Sequence, residues 1–183
     1  MRHSWMVLAV ALASAGAHAQ GNETQRGWGL NGGVFLPSDR TVRDIFGDTW
    51  LSFGLQPITF ATPKRWKLRV NFALLTADRD GNRLLAIPVT VGAEMQFDQG
   101  RGQVPYVAVA AGPTYYDYSI VRMEGGVPER FAARRIGWNG NVRAGITFNQ
   151  RFQLQARYDL YSETDGFHFD GLTLSASFLV ARF

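Results

Sequence analysis

Ser162, Asp165, His168 and Asp170 fall in one short stretch near the end of the chain, the residue types of a nucleophile, an imidazole base and an orienting carboxylate. A serine oxygen attacks efficiently when an imidazole takes its proton and a carboxylate holds that imidazole in the right tautomer. A second set of groups is cationic: Lys67, Arg69, Arg143, Arg151 and Arg157, with Glu94 and Asp159 as the anions able to meet them. A third set, Arg122, Arg130, Arg134 and Arg135 with Phe131, lies in or beside residues 117–134. Guanidinium groups bind phosphate through paired, planar hydrogen bonds, so an anionic surface is the natural partner of such a set. The sequence has no cysteine, and His168 is the sole histidine outside the first 20 residues, so no metal site is expected.

The elements that position these groups are strands. Ile136, Trp138, Gly140, Val142, Ala144, Ile146 and Phe148 alternate with Gly137, Asn139, Asn141, Arg143, Gly145 and Thr147. After Asn149-Gln150 the alternation resumes, with Phe152, Leu154, Ala156, Tyr158 and Leu160 against Gln153, Gln155, Arg157 and Asp159. Side chains of a strand point alternately to opposite faces, so this hairpin is an apolar wall backed by a polar one. Its arms exceed the usual strand of about five or six residues, and at a tilt of about 45° they reach across a bilayer.

The same pattern places strands at 27–36, 49–61, 66–74, 85–97, 105–116 and 172–180, making eight with the hairpin. Residues 38–47 suit a single helical turn or a structured loop, with Ser38 or Asp39 as N-cap and Gly47 as stop. The apolar phase changes at Pro57, as a bulge would cause. Gly81 suits a tight turn, Gly125-Gly126 suits the tip of a hairpin extending two strands, and 162–169 reads as a polar loop. Phe183 is out of phase with 172–180, so either a bulge precedes it or the terminal pattern is atypical.

The chain begins with Arg2-His3, an apolar run and Ala17-His18-Ala19, the pattern of a secretory signal peptide. The expected organisation is a signal over 1–19, a short leader over 20–26 and one barrel domain over 27–183. The net charge of +4 is carried by dispersed arginines, which gives no nucleic-acid patch. Alternation alone fits a soluble barrel as well as a membrane one. Aromatics decide: Trp28, Phe60, Trp66, Phe97, Tyr106, Phe148, Phe152 and Phe178 gather at one set of strand ends, Trp50, Tyr115, Trp138 and Tyr158 at the other. Two bands match interfacial girdles. Glycine also follows the polar face, at Gly29, Gly33, Gly92, Gly112, Gly137 and Gly145, where it would leave room for Arg and Gln inside a narrow barrel. The fold class is therefore all-β, an eight-stranded antiparallel up-and-down transmembrane barrel.

With these features and the stretch Val104-Pro105-Tyr106 through Gly112, the chain resembles the small outer-membrane β-barrel proteins of Gram-negative bacteria, the OmpA/OmpX/OmpW-like group. The resemblance implies outer-membrane location, contact with lipid and lipopolysaccharide, and assembly by the barrel-assembly machinery through the strand ending at Phe183. Barrel enzymes acting on lipid A or phospholipid use serine–histidine chemistry, and Ser162, His168 and Asp170 are the residues that would carry it. The His-x-Ser pair of lipid A deacylases is replaced here by His168-Phe169-Asp170. The expectation is a monomeric, cofactor-free barrel with a structural or surface-interaction role and no catalysis. Its lumen network would be Lys67, Arg69, Glu94, Arg143, Arg157 and Asp159, with Arg122, Arg130, Arg134 and Arg135 on lipopolysaccharide. The alternatives are a lipid-modifying enzyme and a narrow small-solute channel.

Overall fold

The computed structural model describes residues 26–59, 66–97, 102–125, 127–148 and 151–182. The expected signal peptide, the leader up to residue 25, Phe60 and Phe183 lie outside them. The described elements are β1 (Arg26–Pro37), α1 (Arg40–Phe46), β2 (Trp50–Thr59), β3 (Trp66–Arg79), β4 (Asn82–Gln96), β5 (Gln103–Glu124), β6 (Val127–Phe148), β7 (Phe152–Tyr161) and β8 (Gly171–Arg182). Each strand pairs antiparallel with its sequence neighbour, and β1 pairs with β8 to close the barrel. The fold is the eight-stranded up-and-down barrel that the alternation predicts.

Strand β7 shows why the sequence folds this way. Phe152, Leu154, Ala156, Tyr158 and Leu160 face outward, while Gln153, Gln155, Arg157, Asp159 and Tyr161 are buried. Such a strand can satisfy its backbone and both faces only if it rolls into a closed sheet with apolar surroundings outside. The outward face also carries Leu30, Phe53, Leu68, Val109, Val142 and Phe178, all exposed. Val142 lies between Trp138 and Phe148 in the bilayer-facing part of β6, so Val142→Arg is expected to cost about 2–4 kcal/mol in a lipid bilayer. Reversible urea unfolding in vesicles measures it, and a neutral result would argue against this face meeting lipid.

The connections sort by end. Those after β2, β4 and β6 lie at the end where β1 starts and β8 finishes. The opposite end holds α1, the β3–β4 turn, the β5–β6 hairpin and the 162–170 loop. At the β3–β4 turn Asp80 and Gly81 both take positive φ, of 51° and 81°, the backbone of a tight two-residue hairpin. Helix α1 forms where Asp39 accepts a hydrogen bond from Val42 N and Gly47 stops the turn at φ 94°.

The expected extension of β5 and β6 forms: they stay paired from Gln103↔Phe148 to Glu124↔Val127, well past 116 and 136, with Gly125 at the tip of a long hairpin. Above the apolar band both faces of a strand meet water or protein, and the alternation that betrays a strand fades. Several expectations need correction. Register through Pro57 is continuous with β1, with Trp28↔Pro57, so no bulge occurs there. The pairs of β2 with β3 end at Leu55↔Phe72, and Pro57 lies past them, where a missing N–H is tolerated. The irregularity sits instead at the closing seam. Trp28 pairs with Ala181 and Gly29 with Leu179, which leaves Val180 as an extra residue before the terminus.

The interior has two zones. Toward the short-turn end it is polar. Toward the long-loop end it is an apolar cluster of Phe35, Trp50, Leu75, Leu84, Tyr116 and Tyr118, capped by Val42 and Phe46 of α1 and by Phe167 and Phe169. The 162–169 stretch is therefore not simply polar: its two buried phenylalanines fill the barrel mouth. Trp50 and Tyr106, expected in the girdles, both point inward and are about fully buried, at 1% and 2% exposure. The glycine gaps serve aromatic rings as well. A Cβ on Gly145 would sit 2.6 Å from the Tyr106 ring, and one on Gly137 3.1 Å from Tyr116.

Candidate functional site

Charged residues on the inner face are held by partners from neighbouring and facing strands. Arg69 of β3 meets Glu94 of β4 at 2.7 Å, with both side chains almost fully buried. Gln96 donates to Glu94 at 2.9 Å, and the half-buried Lys67 donates to Gln96 at 3.2 Å. Arg143 of β6 reaches across the lumen to Asn71 of β3 at 3.0 Å. On β7, Arg157 Nε lies 2.7 Å from Asp159 Oδ2, which also accepts from Thr173 at 3.0 Å. Asn139 donates to the other Asp159 oxygen at 3.2 Å and accepts from Asn141 at 3.0 Å. The structure thus places Lys67, Arg69, Glu94, Arg143, Arg157 and Asp159 on the inner wall. Arg151, expected there too, sits exposed in the β6–β7 turn, where its backbone oxygen accepts from Leu179 N at 2.8 Å.

Below these ion pairs amides and hydroxyls staple the walls together. Tyr106 donates to Gln155 at 2.9 Å, and Gln155 donates to Ser175 at 2.9 Å. Gln56 of β2 donates to Gln153 of β7 and, at 2.6 Å, to Ser177 of β8. The lumen is filled by side chains, as the interior of an eight-stranded barrel allows. Above them, Phe169 stacks on Tyr116 with ring centroids 5.2 Å apart, and Phe46 packs against Trp50 at 6.2 Å and Phe167 at 6.3 Å. This aromatic closure went unread in the sequence. Its signal was Phe167 and Phe169 flanking His168 at alternate positions.

The Ser–His–Asp set is not brought together. Ser162 Oγ accepts from Trp138 N at 2.9 Å, and Asp170 accepts from Tyr161 N at 2.6 Å. His168 is exposed, 3.8 Å from Glu163. Ser162 and Asp170 serve as backbone caps of the last loop, and the imidazole points elsewhere. Among the described residues no three His, Cys, Asp or Glu side chains form a metal-holding group.

The outer hairpin carries the remaining arginines. Eight residue pairs, from Asp117↔Arg134 to Glu124↔Val127, extend beyond Tyr115 and Trp138. Arg134 Nε donates to Asp117 at 3.1 Å, and Arg130 is exposed on the same outward row. Arg135, on the inward row, is bound instead to Asp165 of the last loop at 3.0 Å. Tyr118 also donates to Asp165, and its hydroxyl, followed by Arg135, holds that carboxyl below the ordinary 3.8. The tie between loop and hairpin is therefore intact at neutral pH and is lost only as pH falls through that depressed value. Arg122 lies on β5, with its side chain outside the described set. Asn82 joins this end together, donating to Ile45 O of α1 at 3.1 Å and accepting from Val121 N at 2.7 Å.

The comparisons with known proteins agree with this architecture. No curated protein sequence matches. The crystal structure of Neisserial surface protein A aligns with a TM-score of 0.53 at 11% identity, covering 88% of this chain and 100% of that one. That of the outer membrane enzyme PagL aligns at 0.52 and 11%, covering 83% and 99%. At such identities the likeness is one of fold alone. A family model described as an outer membrane protein beta-barrel domain matches residues 6–178. The match spans nearly the whole chain, which belongs to the outer-membrane β-barrel domain family and has its place in the outer membrane.

Proposed function

We propose that the protein is a non-catalytic, monomeric outer-membrane barrel whose projecting β5–β6 hairpin contacts lipopolysaccharide at the cell surface. The observation that carries this reading is the position of Arg130 and Arg134. Both are exposed on the outward row of β6 beyond Trp138, which is 67% exposed, with Arg134 the nearer of the two along the strand. Aromatic girdles mark headgroup depth, so cations in the next few residues meet lipid phosphates. Arg135 belongs to the same hairpin but to its inward row, where Asp165 of the last loop holds it.

The filled lumen supports a structural role over a channel, because polar staples occupy one end and packed aromatics the other. The engaged Ser162 and Asp170 favour a non-enzyme over a lipid-modifying one such as PagL, one of the structural neighbours. The barrel-assembly machinery is the expected assembly partner, through the final strand.

The test is binding of lipopolysaccharide to the purified barrel. Arg130→Glu/Arg134→Glu is expected to weaken it about tenfold or more, since hydrogen bonds to charged groups contribute roughly 1.5–3 kcal/mol each. Unchanged affinity would overturn the contact. A lipid A acylation profile that responds to His168→Ala would overturn the non-catalytic reading.

A further inference from the structure

Three guanidiniums face two carboxylates inside the wall. Arg69, Arg143 and Arg157 are 2%, 5% and 7% exposed, and Glu94 and Asp159 are fully buried. Arg69 and Arg157 each have a carboxylate at 2.7 Å. Arg143 has an amide: its Nη1 donates to Asn71 Oδ1, and its Nε and Nη2 have no partner among the described residues. Asn71 Nδ2 and Arg69 Nε, on the facing strand, are also unpartnered donors. An amide oxygen satisfies one N–H and neutralises nothing, and an uncompensated buried charge is strongly destabilising. Side-chain rearrangement does not remove the imbalance. Glu94 Oε2 is open, yet sharing Glu94 between Arg69 and Arg143 leaves two cations on one carboxylate. Lys67, half-buried on the same inner wall, adds positive charge.

We propose that the lumen binds one small inorganic anion, of halide size, against Arg143, with Asn71 and Arg69 supplying further donors. The size is inferred from the side-chain filling expected of an eight-stranded interior, which favours a small ion over a phosphate ester or a carboxylate ligand. The anion balances the Arg143 charge and fills the donor positions the protein leaves open. It is a structural counter-ion.

Bromide is the probe, used on the full chain folded in detergent. In sodium bromide the thermal unfolding midpoint is expected to lie roughly 2–4 °C above that in sodium gluconate at equal ionic strength, by preferential binding to the folded state. Inorganic phosphate at the same ionic strength should give no such rise. Arg143→Gln should abolish the difference, while Arg83→Gln, at an exposed surface arginine, should retain it. Anomalous scattering from a bromide-soaked wild-type crystal should show a peak beside Arg143, which decides the matter should Arg143→Gln fail to fold. Equal midpoints in bromide and gluconate for the wild type, or no anomalous peak beside Arg143, would overturn the proposal and leave water as the occupant.

Discussion

Glu94→Ala is expected to destabilise the barrel by about 3–5 kcal/mol, because it leaves Arg69 charged, buried and without its partner. The pair is 2.7 Å apart, and both side chains are almost wholly withdrawn from solvent. Ala108, facing Glu94 across the β4–β5 ladder, is too small to supply a replacement. The informative comparison is the double replacement Arg69→Met/Glu94→Leu. Apolar residues of similar volume remove both desolvation costs along with the attraction, so the double variant should regain most of the loss. Tryptophan-monitored urea unfolding in lipid vesicles reads all three proteins on one scale. A double variant as unstable as Glu94→Ala would mean the pair contributes through its surrounding hydrogen bonds, Gln96 to Glu94 above all, and not through charge balance.

Phe169→Ala should cost a similar amount, about 3–5 kcal/mol, by the combined loss of apolar burial and creation of a cavity. Phe169 is 1% exposed and lies against Phe46, Trp50, Tyr116, Tyr118 and Phe167, so its removal opens the centre of the outer closure. His168 beside it is the control. Its side chain is 54% exposed, and His168→Ala should stay within about 0.5 kcal/mol of wild type. Equal effects at the two positions would mean that the last loop does not seat as described.

The fold was legible wherever one strand face met lipid and the other met polar side chains. In β7 every position carries that contrast, and both the strand and its orientation follow from it. Helix α1 was legible from its caps, Asp39 and Gly47, more than from its short body. Legibility failed where the contrast failed. Leu74-Leu75 and Leu84-Leu85 are apolar on both faces because the lumen itself turns apolar near the outer mouth. The hairpin beyond Tyr116 is exposed on most positions of β6, so no periodicity marked residues 127–135 as a strand. Tyr106 and Trp50 were misplaced because an aromatic suits either an interfacial band or a hydrogen-bonded interior. Strand parity, which groups Tyr106 with Ala108 and Ala110 and against Val107 and Val109, held the better answer. For the lumen charges the sequence placed the residues on a face, but their pairings needed the register across strands. Arg143 to Asn71 joins β6 to β3, a contact no local pattern encodes.

The seam between β1 and β8 sets the order of events during synthesis and transit. Gly27 pairs with Arg182, so the ladder that shuts the cylinder joins the start of β1 to the end of β8. Until β8 has been made, β1 waits with one side of its backbone unmatched, and every partial sheet keeps two sticky margins. Contacts this distant in sequence form slowly, and intermediates with open margins tend to aggregate. The newborn chain must therefore travel unclosed, and its greatest hazard is the time between leaving the ribosome and meeting its own final strand.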